Sequence, residues 1–508
     1  MKKTVCTILA IITALTVTSC SAMKNAMPEG NDYDPGGANN KLEAGELLEE
    51  DNEMIDISSE DYGKLIENQF IQVSEHAVST FSADVDTASY TYFRKLCTLG
   101  YSLSELTATA GSSIRTEEMI NYFSYEGNSP KDGELFGVKT VIADCPWNPE
   151  AKLLTLTLNT EKAVSKQKNN LVFLIDVSGS MQSSDKLELL KKSFSYLIDA
   201  LSEDDVISIV TYSGKEEVVL EGCAGNKAEA IRKAVNSLSA GGSTNGQAGI
   251  QKAYEIAEKY FIQDGNNRII MASDGDLNVG ISSADDLKSY ISEKRQNGVY
   301  LSVLGFGTGN YRDANMEAIA DNGNGVYYYV DSDMEAEKIF CTDLLSTLYT
   351  VASDVKLQIT FNAESVSQYR LVGYENRLLN QEDFEDDTKD AGELGAGHSV
   401  TVCYELITTD SADQNGEWMK LAIRYKNPGE TKSNLNEYSI GKESLTSEPD
   451  DDFIFISAVT ELSMLLHNSE YLKNSITIDT IYETLTGIET DDEYKTQFIS
   501  LIKGLSGK

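Results

Sequence analysis

The chain has 508 residues, a length for about three domains or two, and 41% of them are apolar, enough for sizeable cores. Its formal net charge is −39, a field that repels phosphate and so excludes nucleic acid or an anionic membrane surface as the direct partner. A bound cation would still create a local anion site.

The first element is a leader. Lys2 and Lys3 precede an apolar run, Val5 to Val17, too short to span a bilayer comfortably but with the flanks of a signal peptide, assigned to residues 1–19. It ends Leu15-Thr16-Val17-Thr18-Ser19-Cys20, which resembles a bacterial lipobox. That resemblance implies cleavage before Cys20 and its acylation (palmitate among the chains), the alternative being an ordinary secretory peptide cut nearby. Several acyl chains would hold the protein stably at the bacterial cell envelope, outside the cytoplasm. No later segment looks like a membrane span. Residues 20–70 then read as an extended tether: Pro28, Gly30, Pro35, Gly36 and Gly37 break its first part, and nine acids between Glu43 and Asp61 stand without a Lys or Arg.

Residues 71–165 are a modest first region with a helix over Arg115–Phe123 and an alternating strand, AKLLTLTL, at 151–158. From 168 to 350 strands and helices alternate. Strands are expected at 171–175, 206–212, 216–220, 268–273, 299–307 and 326–330. Helices are expected at 186–200, 227–238, 246–261, 284–295 (behind the caps Ser282 and Ser283), 315–320 and 333–348. Apolar runs alternating with helices predict an α/β fold: a doubly wound, mostly parallel sheet covered on both faces, with ligand sites at strand ends. Residues 351–508 read as a β-rich domain (VKLQITF, HSVTVCYELIT, MKLAIRY) with a helical tail at 451–466 and 482–485. The segments flanking 168–350 either pair into one sandwich carrying the central domain or follow it as separate beads.

Chemistry concentrates in the middle. The strand LVFLI runs straight into Asp176, Ser178 and Ser180; Gly179 lets that loop turn tightly. A Gly-rich loop, Gly241-Gly242-Ser243-Thr244-Asn245, follows, and Asp274 ends a later strand. Two carboxylates and three hydroxyls suit a hard divalent cation, Mg²⁺ first, with Mn²⁺ or Ca²⁺ as alternatives. They leave the site near neutral and able to accept an anionic ligand. DxSxS, the loop threonine and the later aspartate together resemble the von Willebrand factor type A (VWA) domain, a Rossmann-like fold. The resemblance implies a metal-ion-dependent adhesion site formed by Asp176, Ser178, Ser180, Thr244 and Asp274, open to a partner's carboxylate. Asp276 and Asn278 are rim or loop residues, and Asp205 a turn residue.

The flanks carry a narrower resemblance. STFSADVDTASY (79–90), RTEEMINYF (115–123), CPWNP (145–149), YRLVGYENRLL (369–379) and DFEDDTKDAGELGAGHSVTVCYEL (383–406) are similar to the N-terminal segment and C-terminal domain of a bacterial family of secreted or lipid-anchored VWA proteins, which implies no established catalysis. The expected function is therefore an envelope-anchored protein-binding module, not an enzyme, that uses the metal to bind an acidic group of a protein partner. The alternatives are a structural or envelope-assembly lipoprotein whose metal only stabilises the fold, and a metal-dependent hydrolase. The hydrolase lacks a nearby His, Lys or third carboxylate to serve as base.

Other patterns carry less. DVDTA (84–88) echoes a phosphatase motif, but Ser79–Ala83 make a poor buried strand before it. The acids from Glu382 to Glu393 miss the EF-hand register and read as a solvated loop. His76, His398 and His467 lie near no catalytic or metal pattern. Cys97, Cys145, Cys223, Cys341 and Cys403 are scattered, leaving one disulfide or buried free thiols open.

Overall fold

A computed structural model describes residues 65–507, apart from 132, 162–167, 244–245, 264, 276–283, 308–312, 344–349, 413–415 and 474–475. The leader, Cys20, nearly all of the tether, Thr244, Asp276, Asn278, Ser282 and Ser283 lie outside the described residues.

The chain first forms β1 (Ile71–Gln72), β2 (Val78–Ser82), α1 (Ala88–Thr98), α2 (Leu103–Ala110), α3 (Thr116–Asn121), β3 (Phe136–Asp144) and β4 (Lys152–Thr160). The middle contains β5 (Asn169–Asp176), α4 (Leu187–Ala200), β6 (Val206–Tyr212), β7 (Glu216–Ala224), α5 (Ala228–Asn236), α6 (Gly246–Lys259), β8 (Asn266–Ser273), α7 (Ala284–Gln296), β9 (Tyr300–Phe306), α8 (Asp313–Asn322), β10 (Tyr327–Val330) and α9 (Asp333–Lys338). The last part contains β11 (Thr350–Phe361), β12 (Val366–Val372), β13 (Gly392–Gly395), β14 (Ser399–Thr408), β15 (Glu417–Lys426), β16 (Ser433–Gly441), α10 (Asp451–His467), α11 (Ile478–Leu485) and α12 (Glu493–Ser506).

The middle strands form one sheet in the order β10-β9-β8-β5-β6-β7, parallel except for β7. β5 is buried along its whole length, and its alternation assigns each face. Leu171, Phe173 and Ile175 pack with Leu190, Phe194 and Ile231 from α4 and α5. Val172 and Leu174 pack with Ile250, Tyr254 and Ile291 from α6 and α7. A strand covered on both sides needs apolar residues at every position, hence the unbroken LVFLI.

The flanks fold together. One sheet runs β1-β12-β14-β4-β3, so β4, from before the central domain, pairs with β14, from after it, through Leu158–Val400 to Lys152–Leu406. In the second sheet β11 takes β15 on one side and both β2 and β13 on the other. Phe136, Leu154, Leu156, Tyr404, Phe81, Leu357 and Ile359 fill the space between the sheets. The central domain is thus an insertion in a sandwich built from both ends of the chain, not one bead of three.

Two sequence expectations change. Residues 79–82 are a buried strand, not a poor one, because the hydroxyls are satisfied: Tyr404 donates to Ser79 Oγ at 2.9 Å and Gln358 donates to Thr80 Oγ1 at 3.1 Å. The helical tail is no appendage either. α10–α12 share one core with α1–α3, through Tyr90, Phe93, Phe123, Phe455 and Phe498. The sequence reading missed α1, α2 and α12.

Candidate metal site at the end of the parallel sheet

Asp176 is the last residue of β5 and is fully buried. Its Oδ1 accepts the Ser178 amide at 2.8 Å; among the described residues its Oδ2 takes a long contact, 3.5 Å, from the Ser273 hydroxyl, and the Tyr212 hydroxyl beside the carboxyl also favours its charged form. One carboxylate oxygen is therefore held and the other keeps acceptor capacity. The chain then enters a short 3₁₀ turn, Gly179–Gln182, which brings Ser178 Oγ and Ser180 Oγ to 2.9 Å from each other. The Gly-rich loop is pinned against this turn: Gly179 donates to the Gly242 carbonyl at 3.1 Å and Gly241 to the Val177 carbonyl at 2.7 Å. Gly242 has φ +91°, a conformation that favours glycine. Asp274, just past β8, is buried, while Gly179, Ser180 and the loop 241–243 are exposed. Of the five residues singled out in the sequence, four are thus described at one end of the sheet. Thr244 lies just past the pinned part of its loop, outside the described residues.

Electrostatics follow from burial. Loss of water pushes the Asp176 carboxyl up to about 6, with the Ser178 amide and hydroxyl pulling it down and the Asp274 charge pushing it up. The Tyr212 phenol, buried beside Asp176, is pushed up by burial and then by the Asp176 charge, and its hydroxyl closes no full hydrogen bond.

The sequence reading missed Lys186, taking it only as the start of a helix and expecting no lysine here. Its ammonium donates to Asp274 Oδ2 at 2.9 Å and to the Ser180 carbonyl at 3.0 Å. A single lysine has no ligand spacing to reveal it; only the fold brings it to the carboxylates. Two carboxylates and two adjacent hydroxyls are oxygen donors of the kind that suit a hard divalent cation, and the Lys186 ammonium already offsets one of the two negative charges. Among the described residues no three of His, Cys, Asp and Glu gather as a metal cluster, nor does a set of two carboxylates and hydroxyls require one.

The remaining patterns have structural partners. Asp205 accepts from the Asn169 and Ser202 amides and side chains, tying β5 to the turn before β6. Asp84 and Asp86 both pair with Arg377, at 3.2 and 2.9 Å. The acidic loop is more than solvated: carbonyls of Asp383, Asp386 and Asp387 receive the ammonium groups of Lys356 and Lys426. His398 is half-buried, and desolvation lowers its pKa to about 4. The five described cysteines are free thiols. Among the described residues no helix is long and apolar enough to cross a membrane.

Comparison with known proteins decides the family. The von Willebrand factor type A domain profile matches residues 170–342, a von Willebrand factor profile matches 56–155, and the profile for the C-terminal region of YfbK matches 346–507. Uncharacterized protein YfbK from Escherichia coli is 36% identical over 474 residues, covering 88% of this chain and 81% of the relative. The chain belongs to the YfbK family of VWA-domain proteins. Protein sll0103 from Synechocystis sp. is 30% identical over 172 residues, 34% of this chain and 40% of that protein. A von Willebrand factor type A structure from Catenulispora acidiphila aligns with TM-score 0.41 at 14% identity, covering 76% of this chain and 98% of that one.

In this YfbK-family chain the flank motifs brace the fold. CPWNP wraps Glu405 of β14: Trp147 Nε1 and Asn148 Nδ2 donate to its Oε1 at 3.0 and 3.1 Å. Arg370, from YRLVGY, pairs with the other oxygen and stacks on Tyr471 at 4.2 Å. Arg94 on α1 reaches Asp331, just past β10, and Glu335 on α9, fixing the inserted domain to the helical layer.

Proposed function

We propose that this protein is a lipid-anchored module of the bacterial cell envelope that binds a protein partner through a divalent cation, Mg²⁺ by preference. The anchor is Cys20, and the tether lifts the folded part from the membrane. Asp176, Ser178, Ser180, Thr244 and Asp274 would hold the cation. When bound, it supplies a Lewis-acidic centre that takes an anionic oxygen, and the partner group of matching chemistry is a carboxylate. The observation that carries the reading is the half-satisfied carboxylate of Asp176 at the end of a fully buried strand, beside exposed loops a partner can reach. A residue placed there only for stability would have both oxygens saturated, as Glu405 does.

The test is calorimetry on the full chain with Mg²⁺, Mn²⁺ and Ca²⁺, with envelope-extract pull-downs in Mg²⁺ and in chelator. Saturable metal binding and metal-dependent capture, both lost in Asp176→Ala, are expected. No binding below about 10 mM, in wild type or in a variant lacking the Lys186 ammonium, rejects the site, since weak extracellular divalent sites still reach roughly 10⁻⁴ to 10⁻³ M. Metal binding with capture unchanged in Asp176→Ala moves the function to the structural alternative. Intact-mass analysis of the native protein should show an acylated Cys20, and an unmodified terminus elsewhere rejects the anchor.

A further inference from the structure

Lys186 precedes α4 and lies against two residues of the candidate site. Its ammonium sits 2.9 Å from Asp274 Oδ2 and 3.0 Å from the Ser180 carbonyl, and its side chain is only 14% exposed. The aliphatic stem crosses the end of β9, where a Cβ on Gly307 would come within 2.1 Å of Lys186 Cε. Gly307 has φ +85°, so glycine suits both the backbone and the passage of the lysine. The Gly307 carbonyl is held from the other side by Lys95 of α1, at 2.7 Å. The path of Lys186 over the strand end is therefore built by three elements.

We propose that Lys186 is a tethered counter-cation: it neutralises Asp274 when no divalent ion is present, and it must leave that oxygen for the ion to bind. The inference rests on the metal reading above and adds what sets the affinity. The Asp274 charge adds to the cost of ionising the buried Asp176 carboxyl. Without a cation the site would hold two carboxylates, one of them fully desolvated. The ammonium relieves that repulsion. An ammonium and a divalent ion on the same carboxylate repel, so the exchange is one for the other. The domain then stays folded in the absence of metal, and its apparent affinity is reduced by the work of displacing the lysine. The same argument gives the site selectivity for divalent over monovalent ions, because a monovalent ion replaces a like charge already held in place.

The experiment uses the full chain as wild type, Lys186→Gln, Lys186→Met and Lys186→Arg. Mg²⁺ binding is measured by calorimetry and thermal unfolding is followed in chelator and in Mg²⁺. Removing the ammonium in the Gln and Met variants should tighten Mg²⁺ binding by roughly tenfold or more, the scale of one close charge removed from a partly buried site. In chelator both should melt below wild type, and Mg²⁺ should restore them. The Arg variant, which keeps the charge, should bind Mg²⁺ no better than wild type. Wild-type binding with equal or weaker binding in both neutral variants overturns the inference alone and makes Lys186 a positioning residue for Asp274. Absence of binding in wild type with binding in the neutral variants supports the inference in its strongest form. Absence in every variant overturns both the inference and the metal reading.

Discussion

Two buried carboxylates, Asp176 and Glu405, each stand on a central strand with almost no contact with water, yet their surroundings differ. Glu405 is saturated: one oxygen takes Trp147 and Asn148, and the other takes the Arg370 guanidinium. Asp176 has one short hydrogen bond to its own loop and, among the described residues, a long one of 3.5 Å to its second oxygen. Burial costs both groups their water. In the flank the fold supplies the compensation, whereas at the sheet end it stops short, and that is where the proposed cation would act. Glu117 on α3 shows a third solution. Neither of its oxygens closes a full hydrogen bond among the described residues, and burial, then Glu375, raises its pKa to about 8 against the pull of the Tyr374 amide, so that the protonated form is favoured.

The largest expected effect lies in the saturated cluster. Arg370→Ala leaves Glu405 charged and buried, and should destabilise the protein by about 3–5 kcal/mol in chemical unfolding. A loss under about 1 kcal/mol would mean that Glu405 is not the structural case and would break the contrast. Asp176→Ala should do the reverse. In chelator its stability should stay near that of wild type, since a desolvated carboxylate has been removed, while Mg²⁺ binding disappears. A loss on the scale of Arg370→Ala would place Asp176 among the structural carboxylates.

The third expectation concerns pH. The folded-state pKa of Glu117 lies above its unfolded value, so the folded protein holds the extra proton between about 4.5 and about 8. Its contribution is full below that window, and falls as pH rises through it by up to about 1.4 kcal/mol per unit. Unfolding at pH 5, 7 and 9 should show Glu117→Gln gaining on wild type as pH rises; parallel curves would show that the carboxyl is compensated by a partner after all. The smallest effect is Ser178→Ala, which removes a neutral ligand. Mg²⁺ should weaken about fivefold, the scale of one neutral polar contact of about 1 kcal/mol. A complete loss would show the hydroxyl to matter as much as the carboxylate.

Much of this was legible in the residues. LVFLI could only be a strand buried on both faces, and the alternation of such runs with amphipathic stretches led to a doubly wound sheet. Asp176, Ser178 and Ser180 declare themselves by spacing, since their oxygens come from consecutive turns of one loop. The first strand of the sandwich did not declare itself. Serines and threonines at 79–82 look unsuited to a core until Tyr404 and Gln358, more than 270 positions away, arrive as partners. CPWNP and YRLVGY stood out as patterns, but their shared task, gripping opposite oxygens of Glu405, needs three distant segments at once.

Local chemistry by itself therefore determined the central fold and the candidate ligands, because strand burial and loop spacing act over a few residues. Only the tertiary structure decided that the flanks close into one sandwich around an inserted domain, and that Lys186 rests on Asp274. Both depend on pairings between segments far apart in the chain, where no periodicity links the partners and position in space alone sets which charge meets which.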